Sequence, residues 1–127
     1  MKNKKQILVV DDEEDIRDVV RVSLEIFGGW QIITANSGFE GLQIAKTTAL
    51  DAILMDISMP DMDGFKLCAA LQADPQMQQV PVIVLTAKVL PSDRLQFAAL
   101  EIAGVITKPF DPVTIWRQVA EILGWAV

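Results

Sequence analysis

The sequence predicts an α/β fold, a doubly wound parallel sheet of five strands with helices on both faces. Three observations carry that prediction. Five short apolar runs alternate with five stretches of helical periodicity, the pattern of repeated βα units. Most of the apolar runs are continuous, as strands buried on both faces require. The chain has 127 residues, 51% apolar and 22% charged, the size and balance of one globular domain.

The elements follow in order. Gln6–Val10 is the first apolar run. Residues 14–27 are a helix with Ile16, Val19, Val20, Leu24 and Phe27 at helical spacing, stopped by Gly28-Gly29. Residues 30–35 (WQIITA) are a second strand whose mixed polarity suits a sheet edge. Residues 37–48 carry Phe39, Leu42 and Ala45 at helical spacing. Residues 52–55 (AILM) are a third buried strand, ending in Asp56. Met59-Pro60-Asp61-Met62-Asp63-Gly64 is turn-rich and forms a loop. Residues 65–73 are a third helix, stopped at Asp74-Pro75. Residues 80–85 (VPVIVL) are the fourth strand, ending in Thr86. Residues 92–102 are the fourth helix, with Leu95, Ala98, Ala99 and Ile102 facing inward. Residues 105–107 are a short fifth strand, ending at Lys108-Pro109. Asp111 is an N-cap and Pro112 the first position of a last helix, which runs to about Leu123 and stops at Gly124.

Composition excludes several classes of function. Eleven Lys plus Arg against seventeen Asp plus Glu give a net charge of −6, the wrong sign for direct nucleic-acid binding. There is no histidine, hence no Ser-His-Asp triad, no His metal ligand and no phosphohistidine donor. There is no tyrosine to phosphorylate. The one cysteine, Cys68, allows neither an intrachain disulfide nor a Cys-rich zinc site. The apolar runs at 7–10 and 82–85 are far short of the ~20 residues a membrane span needs. The basic start Met1-Lys2-Asn3-Lys4-Lys5 is followed by too short an apolar stretch for a secretory signal. A cytoplasmic protein without membrane contact is expected, which also suits a lone free thiol.

The polar residues at the strand ends are more informative. In a parallel sheet, Asp11 and Asp12 after the first strand, Asp56 after the third, Thr86 after the fourth and Lys108 after the fifth share the carboxyl edge. Three carboxylates crowded together repel and raise one another's pKa values. A hard divalent cation such as Mg²⁺ or Mn²⁺ relieves that repulsion through oxygen ligands. A metal beside a carboxylate also neutralises an incoming phosphoryl group, and an aspartate can then act as its nucleophile. Lys108 offers a point charge to phosphoryl oxygens and Thr86 a hydrogen bond. The set fits phosphoryl transfer to Asp56. Each residue taken alone has a plainer reading, as a helix start, a turn residue or a strand end. Glu13, Glu14 and Asp15 keep that reading, as solvated residues that suit a helix N-terminus.

The motifs Ile7-Leu8-Val9-Val10-Asp11-Asp12, Asp56 with Met59-Pro60-Asp61-Met62-Asp63-Gly64, Val84-Leu85-Thr86-Ala87 and Lys108-Pro109-Phe110 resemble the receiver domain of a two-component response regulator. The resemblance is to single-domain, chemotaxis-regulator-like receivers and covers nearly the whole chain. It implies a flavodoxin-like (βα)5 fold with strand order 2-1-3-4-5. It implies Asp56 as phosphoacceptor, Asp12 as a direct Mg²⁺ ligand, Asp11 as a ligand mainly through water, and the backbone carbonyl of Ser58 as the last protein ligand. Thr86 is then the switch hydroxyl, and Lys108, before a cis proline bond, pairs with the phosphoryl group. Ala87 is small enough to admit it, while Ser58 and Lys88 line the site and tune the acyl phosphate's lifetime. One position departs from the pattern: Val105 stands where the family usually carries an aromatic side chain or His that moves with the threonine.

The expected function is a phosphorylation-controlled switch rather than an enzyme. The phosphoryl donor is a sensor histidine kinase or a phosphotransfer protein. Residues 1–127 are expected to be one receiver domain with no output domain. By resemblance, the downstream target or a second copy docks on the fourth helix, fifth strand and fifth helix, where Leu90, Phe97, Leu100, Val105 and Trp116 are expected near the surface. Three alternatives fit less well. A haloacid-dehalogenase-like phosphatase needs a second acid two residues past its nucleophile, where this chain has Ser58. A flavodoxin-like cofactor binder needs a phosphate-cradling first loop, and Asp11-Asp12-Glu13 repels phosphate. A degenerate receiver acting only as an interaction module would not need Asp56, Thr86 and Lys108 together.

Overall fold

The computed structural model describes residues 4–57, 64–87, 91–99 and 101–125. Among these residues ten elements alternate: β1 (Gln6–Val10), α1 (Glu14–Ile26), β2 (Gln31–Ala35), α2 (Gly38–Thr47), β3 (Ala52–Asp56), α3 (Gly64–Ala73), β4 (Val82–Thr86), α4 (Pro91–Ala99), β5 (Gly104–Thr107) and α5 (Ile115–Leu123). The strands are all parallel, in the order β2-β1-β3-β4-β5. The expected fold class and strand order are therefore observed.

The alternation of side chains along each strand builds two cores. Ile7 and Val9 of β1 point to one face, with Leu54, Ile83, Leu85 and Ile106, and are covered by Val20 and Leu24 of α1 and Ile115 and Val119 of α5. Leu8 and Val10 point to the other face, with Ile53, Met55 and Val82, under Ala45 of α2 and Leu67, Cys68 and Leu71 of α3. Cys68 is wholly buried with its Sγ 3.9 Å from Met55 Sδ, and burial pushes its thiol up to about 11. It is a packing residue.

Helix ends follow local chemistry. Gly29 adopts φ +72° just after α1, a conformation open to glycine, and Gly124 adopts φ +70° after α5. At Gly124 the chain closes a Schellman turn, with Trp125 N–H donating to the Ala120 carbonyl at 2.9 Å. That turn sets Trp125 edge-on against Trp30, ring centres 5.3 Å apart. Ser37 caps α2 by accepting the Glu40 N–H at 3.1 Å.

Several expectations need correction. The fourth strand begins at Val82 rather than residue 80, because Pro81 has no N–H for the ladder and Val80 N–H is engaged by the Met77 carbonyl at 3.0 Å. The last helix begins at Ile115 rather than Pro112. Asp111 instead organises a turn, its side chain accepting the Val113 N–H at 2.8 Å and its carbonyl the Ile115 N–H at 2.9 Å. The fourth helix ends at Ala99 rather than residue 102, and its inward face is a different one. Leu95 is 74% exposed, Ala98 and Ala99 are exposed, and Phe97 is only 6% exposed. Phe97 packs with Ile57 and Val84. A phenyl ring buries far more apolar area than two alanines, so α4 is turned to seat it. Val19, Phe27 and Phe39, expected on apolar faces, are substantially exposed. Leu90 and Leu100 lie outside the described residues. Among the described residues no helix is long and apolar enough to cross a membrane.

Candidate functional site

The parallel registers bring the strand ends together. Val10 pairs with Met55 and Asp56 with Leu85, so Asp11, Asp56 and Thr86 emerge side by side at the carboxyl edge. Lys108 N–H donates to the Thr86 carbonyl at 2.8 Å, which anchors the end of β5 beside them. The Lys108-Pro109 peptide is cis, as the resemblance implies. Asp11, Asp56 and Thr86 are all buried, the exceptional state for polar side chains.

Lys108 is the electrostatic centre of the site. Its Nζ lies 3.4 Å from Asp11 Oδ2, 3.5 Å from Asp56 Oδ2 and 3.6 Å from Glu13 Oε1. Burial acts to lower its pKa, but Asp11, Asp56 and Glu13 outweigh burial and hold the ammonium above its ordinary range. Burial raises the Asp11 carboxyl above its ordinary 3.8, against the Glu13 N–H and Lys108, which favour the charged form, and the Asp56 charge adds to the rise. Asp11 is otherwise fixed: its Oδ1 accepts the Glu13 N–H at 2.9 Å, and its carbonyl accepts from the Arg17 guanidinium at 2.9 Å.

Asp11, Asp12, Glu13 and Asp56 each place a carboxylate oxygen within 4.8 Å of the others. Four hard oxygens in that space suit a divalent cation that takes oxygen ligands. Asp12 and Glu13 are exposed and Asp11 and Asp56 buried, so the cluster opens to solvent on one side. Beside it, Ala87 and Lys108 line an apolar groove with Ile16, Val19, Phe110 and Pro112. Ser58 and Lys88 lie outside the described residues.

The strand-end residues expected from the sequence therefore meet at one edge. Glu13 was expected to be only a solvated helix-start residue, and it stands within the cluster and beside Lys108. The one signal for it in the sequence was adjacency to Asp11-Asp12, which does not say where a long side chain turns. Val105 is exposed on the β5 edge, opposite Val84.

The family model for the response regulator receiver domain matches residues 7–120. The chain is 38% identical over 119 residues to the alkaline phosphatase synthesis transcriptional regulatory protein PhoP of Bacillus subtilis, covering 94% of this chain and 48% of PhoP. It is 32% identical to the DNA-binding dual master transcriptional regulator RpaA of Synechocystis, covering 93% of this chain and 48% of RpaA. The chain thus spans about half the length of the curated relatives it matches. Among solved structures, chemotaxis response regulator CheY4 of Vibrio cholerae superposes with a TM-score of 0.88 at 30% identity, covering 94% of this chain and 99% of that one. The receiver domain of sensor histidine kinase PA1611 from Pseudomonas aeruginosa superposes with a TM-score of 0.85 at 27% identity, covering 96% and 99%. That receiver was solved with a magnesium ion coordinated in its active site cleft. With its strand order, its carboxyl-edge acids and the family match in agreement, the chain belongs to the response regulator receiver domain family.

Proposed function

We propose that this receiver accepts a phosphoryl group on Asp56 and changes its protein contacts as a result. The observation that carries the reading is a buried Asp56 carboxylate 3.5 Å from the Lys108 ammonium, inside a cluster of four acids. Asp11, Asp12 and Asp56 would hold Mg²⁺ or Mn²⁺, with the Ser58 carbonyl as the remaining protein ligand. Bound there, the ion supplies positive charge that offsets the carboxylates and the phosphoryl oxygens.

The protein's own groups do the rest. An Asp56 carboxylate oxygen forms the new P–O bond. The P–N bond of a donor phosphohistidine breaks, and its electron pair returns to the imidazole. Lys108 pairs with the phosphoryl oxygens from one side, and the Thr86 hydroxyl turns onto them from the other. The donor is a histidine kinase or a phosphotransfer protein. The protein is a phosphoacceptor rather than a turnover enzyme and acts in the cytoplasm. The receiver itself contacts proteins rather than DNA, in keeping with its −6 charge. The contact face comprises α4, β5 and α5, on which Leu95 and Val105 are exposed.

Acetyl phosphate with Mg²⁺ tests the acceptor. Intact-mass spectrometry is expected to find one phosphoryl adduct on the wild type and none on Asp56→Asn. Equal adducts on both would refute the assignment.

A further inference from the structure

Glu13 is the N-cap of α1, with φ −86° and ψ 111°, yet its side chain makes no cap hydrogen bond. Efficient caps are short: Ser, Thr, Asp or Asn. The Glu13 carboxylate turns away from the helix, and its Oε1 stands 3.6 Å from Lys108 Nζ. Asp11 sets that reach. Its Oδ1 holds the Glu13 N–H at 2.9 Å while its Oδ2 faces the same ammonium at 3.4 Å. The Glu13 carbonyl is held in turn by the Arg17 N–H at 2.9 Å.

Lys108 Nζ is therefore divided among three carboxylates at 3.4, 3.5 and 3.6 Å. All three distances exceed the roughly 2.7–2.9 Å of a fully engaged N⁺–H···O⁻ bond. Asp11 and Asp56 are buried and Glu13 is exposed, so Glu13 draws the ammonium toward solvent.

We propose that Glu13 is a positioning residue that competes with Asp56 for Lys108 and slows phosphoryl acceptance. The proposal rests on Asp56 as the acceptor. As the phosphoryl group arrives, the ammonium has to leave Glu13 to meet the new oxygens. Without the competitor it already stands with Asp11 and Asp56. An acid that merely suits the helix dipole would act the same from any position of the first turn. Glu14, the exposed next residue, offers that comparison.

The test measures labelling rates at saturating acetyl phosphate and Mg²⁺. Glu13→Gln removes the charge, and Glu13→Asp keeps it but shortens the reach by one methylene. Both are expected to label about two- to fivefold faster than wild type, the range an exposed ion pair supports. Glu14→Gln is expected to label at the wild-type rate. In a Lys108→Ala background, Glu13→Gln is expected to change nothing. In metal-free protein, the Lys108 Cε NMR signals are expected to move in both Glu13 variants, which reports the contact independently of labelling. A fast Glu13→Gln with a wild-type Glu13→Asp would mean local charge alone and overturn the proposal. So would a Glu14→Gln as fast as Glu13→Gln, or wild-type rates in both Glu13 variants. An Asp56→Asn protein that still labels would instead strike the acceptor assignment.

Discussion

Lys108 Nζ donates to Asp11 Oδ2 at 3.4 Å, joining two residues 97 positions apart across the open edge of the sheet. The same ammonium faces Asp56 at 3.5 Å. Two buried carboxylates thus share one partly buried cation, and its removal takes that charge from both.

Lys108→Ala is accordingly expected to destabilise the metal-free protein at neutral pH by about 3 kcal/mol, the cost of stranding buried charge. Urea unfolding in chelator checks this. The loss should shrink in acid, where a protonated Asp11 carboxyl no longer needs the cation. A loss of the same size at both pH values would place the effect in side-chain packing instead.

Asp11 sets a pH dependence of opposite sense. Its folded-state carboxyl titrates above its ordinary 3.8, chiefly because it is buried. Between the unfolded and folded values the native state binds more protons than the unfolded state. Stability from this group is complete below the unfolded value and is lost as pH rises through the folded one. Asp11→Asn holds the neutral form at every pH and keeps an oxygen for the Glu13 N–H. In chelator it is expected to be more stable than wild type at pH 7, with the gap closing toward about pH 4. A gap that widens in acid would contradict this.

Metal binding is expected to reverse the cost of these crowded acids. A ligand that binds the native state alone adds RT ln(1 + [L]/Kd), about 2.7 kcal/mol at a hundredfold excess over Kd. Mg²⁺ should therefore raise the melting temperature and chelator restore it. Asp12→Ala should abolish the shift. A shift that persists in Asp12→Ala combined with Asp56→Ala would place the ion elsewhere.

The α4 surface can be separated from the α4 core. Phe97→Ala empties a site packed on Ile57 and Val84 and is expected to cost roughly 3–5 kcal/mol. Leu95→Ala, at a largely exposed position, should change stability by no more than about 0.5 kcal/mol. If α4 is the contact face, Leu95→Ala should still weaken self-association or partner binding induced by beryllofluoride. Sedimentation that is identical for wild type and Leu95→Ala would remove Leu95 from that face.

The sequence by itself determined the architecture and the polar members of the carboxyl edge. Strand apolarity is a local property, and parallel βα units bring strand ends to one edge, so Asp11, Asp56, Thr86 and Lys108 were legible one at a time. Tertiary structure alone decided what depends on rotation and reach. The turn of α4 was set by seating Phe97 on β3–β4 neighbours, which the spacing of Leu95, Ala98 and Ala99 did not reveal. A Cβ on Gly41 would come 2.8 Å from Val10 Cγ2, a close approach of α2 to β1 that no turn signal announces. Trp125 meets Trp30 only because the turn at Gly124 folds it back. The direction of the Glu13 side chain was likewise undetermined, since a long carboxylate at a helix start can face solvent, the helix or a neighbour. It was settled by Lys108, which chain reversal through five strands carries to within 3.6 Å.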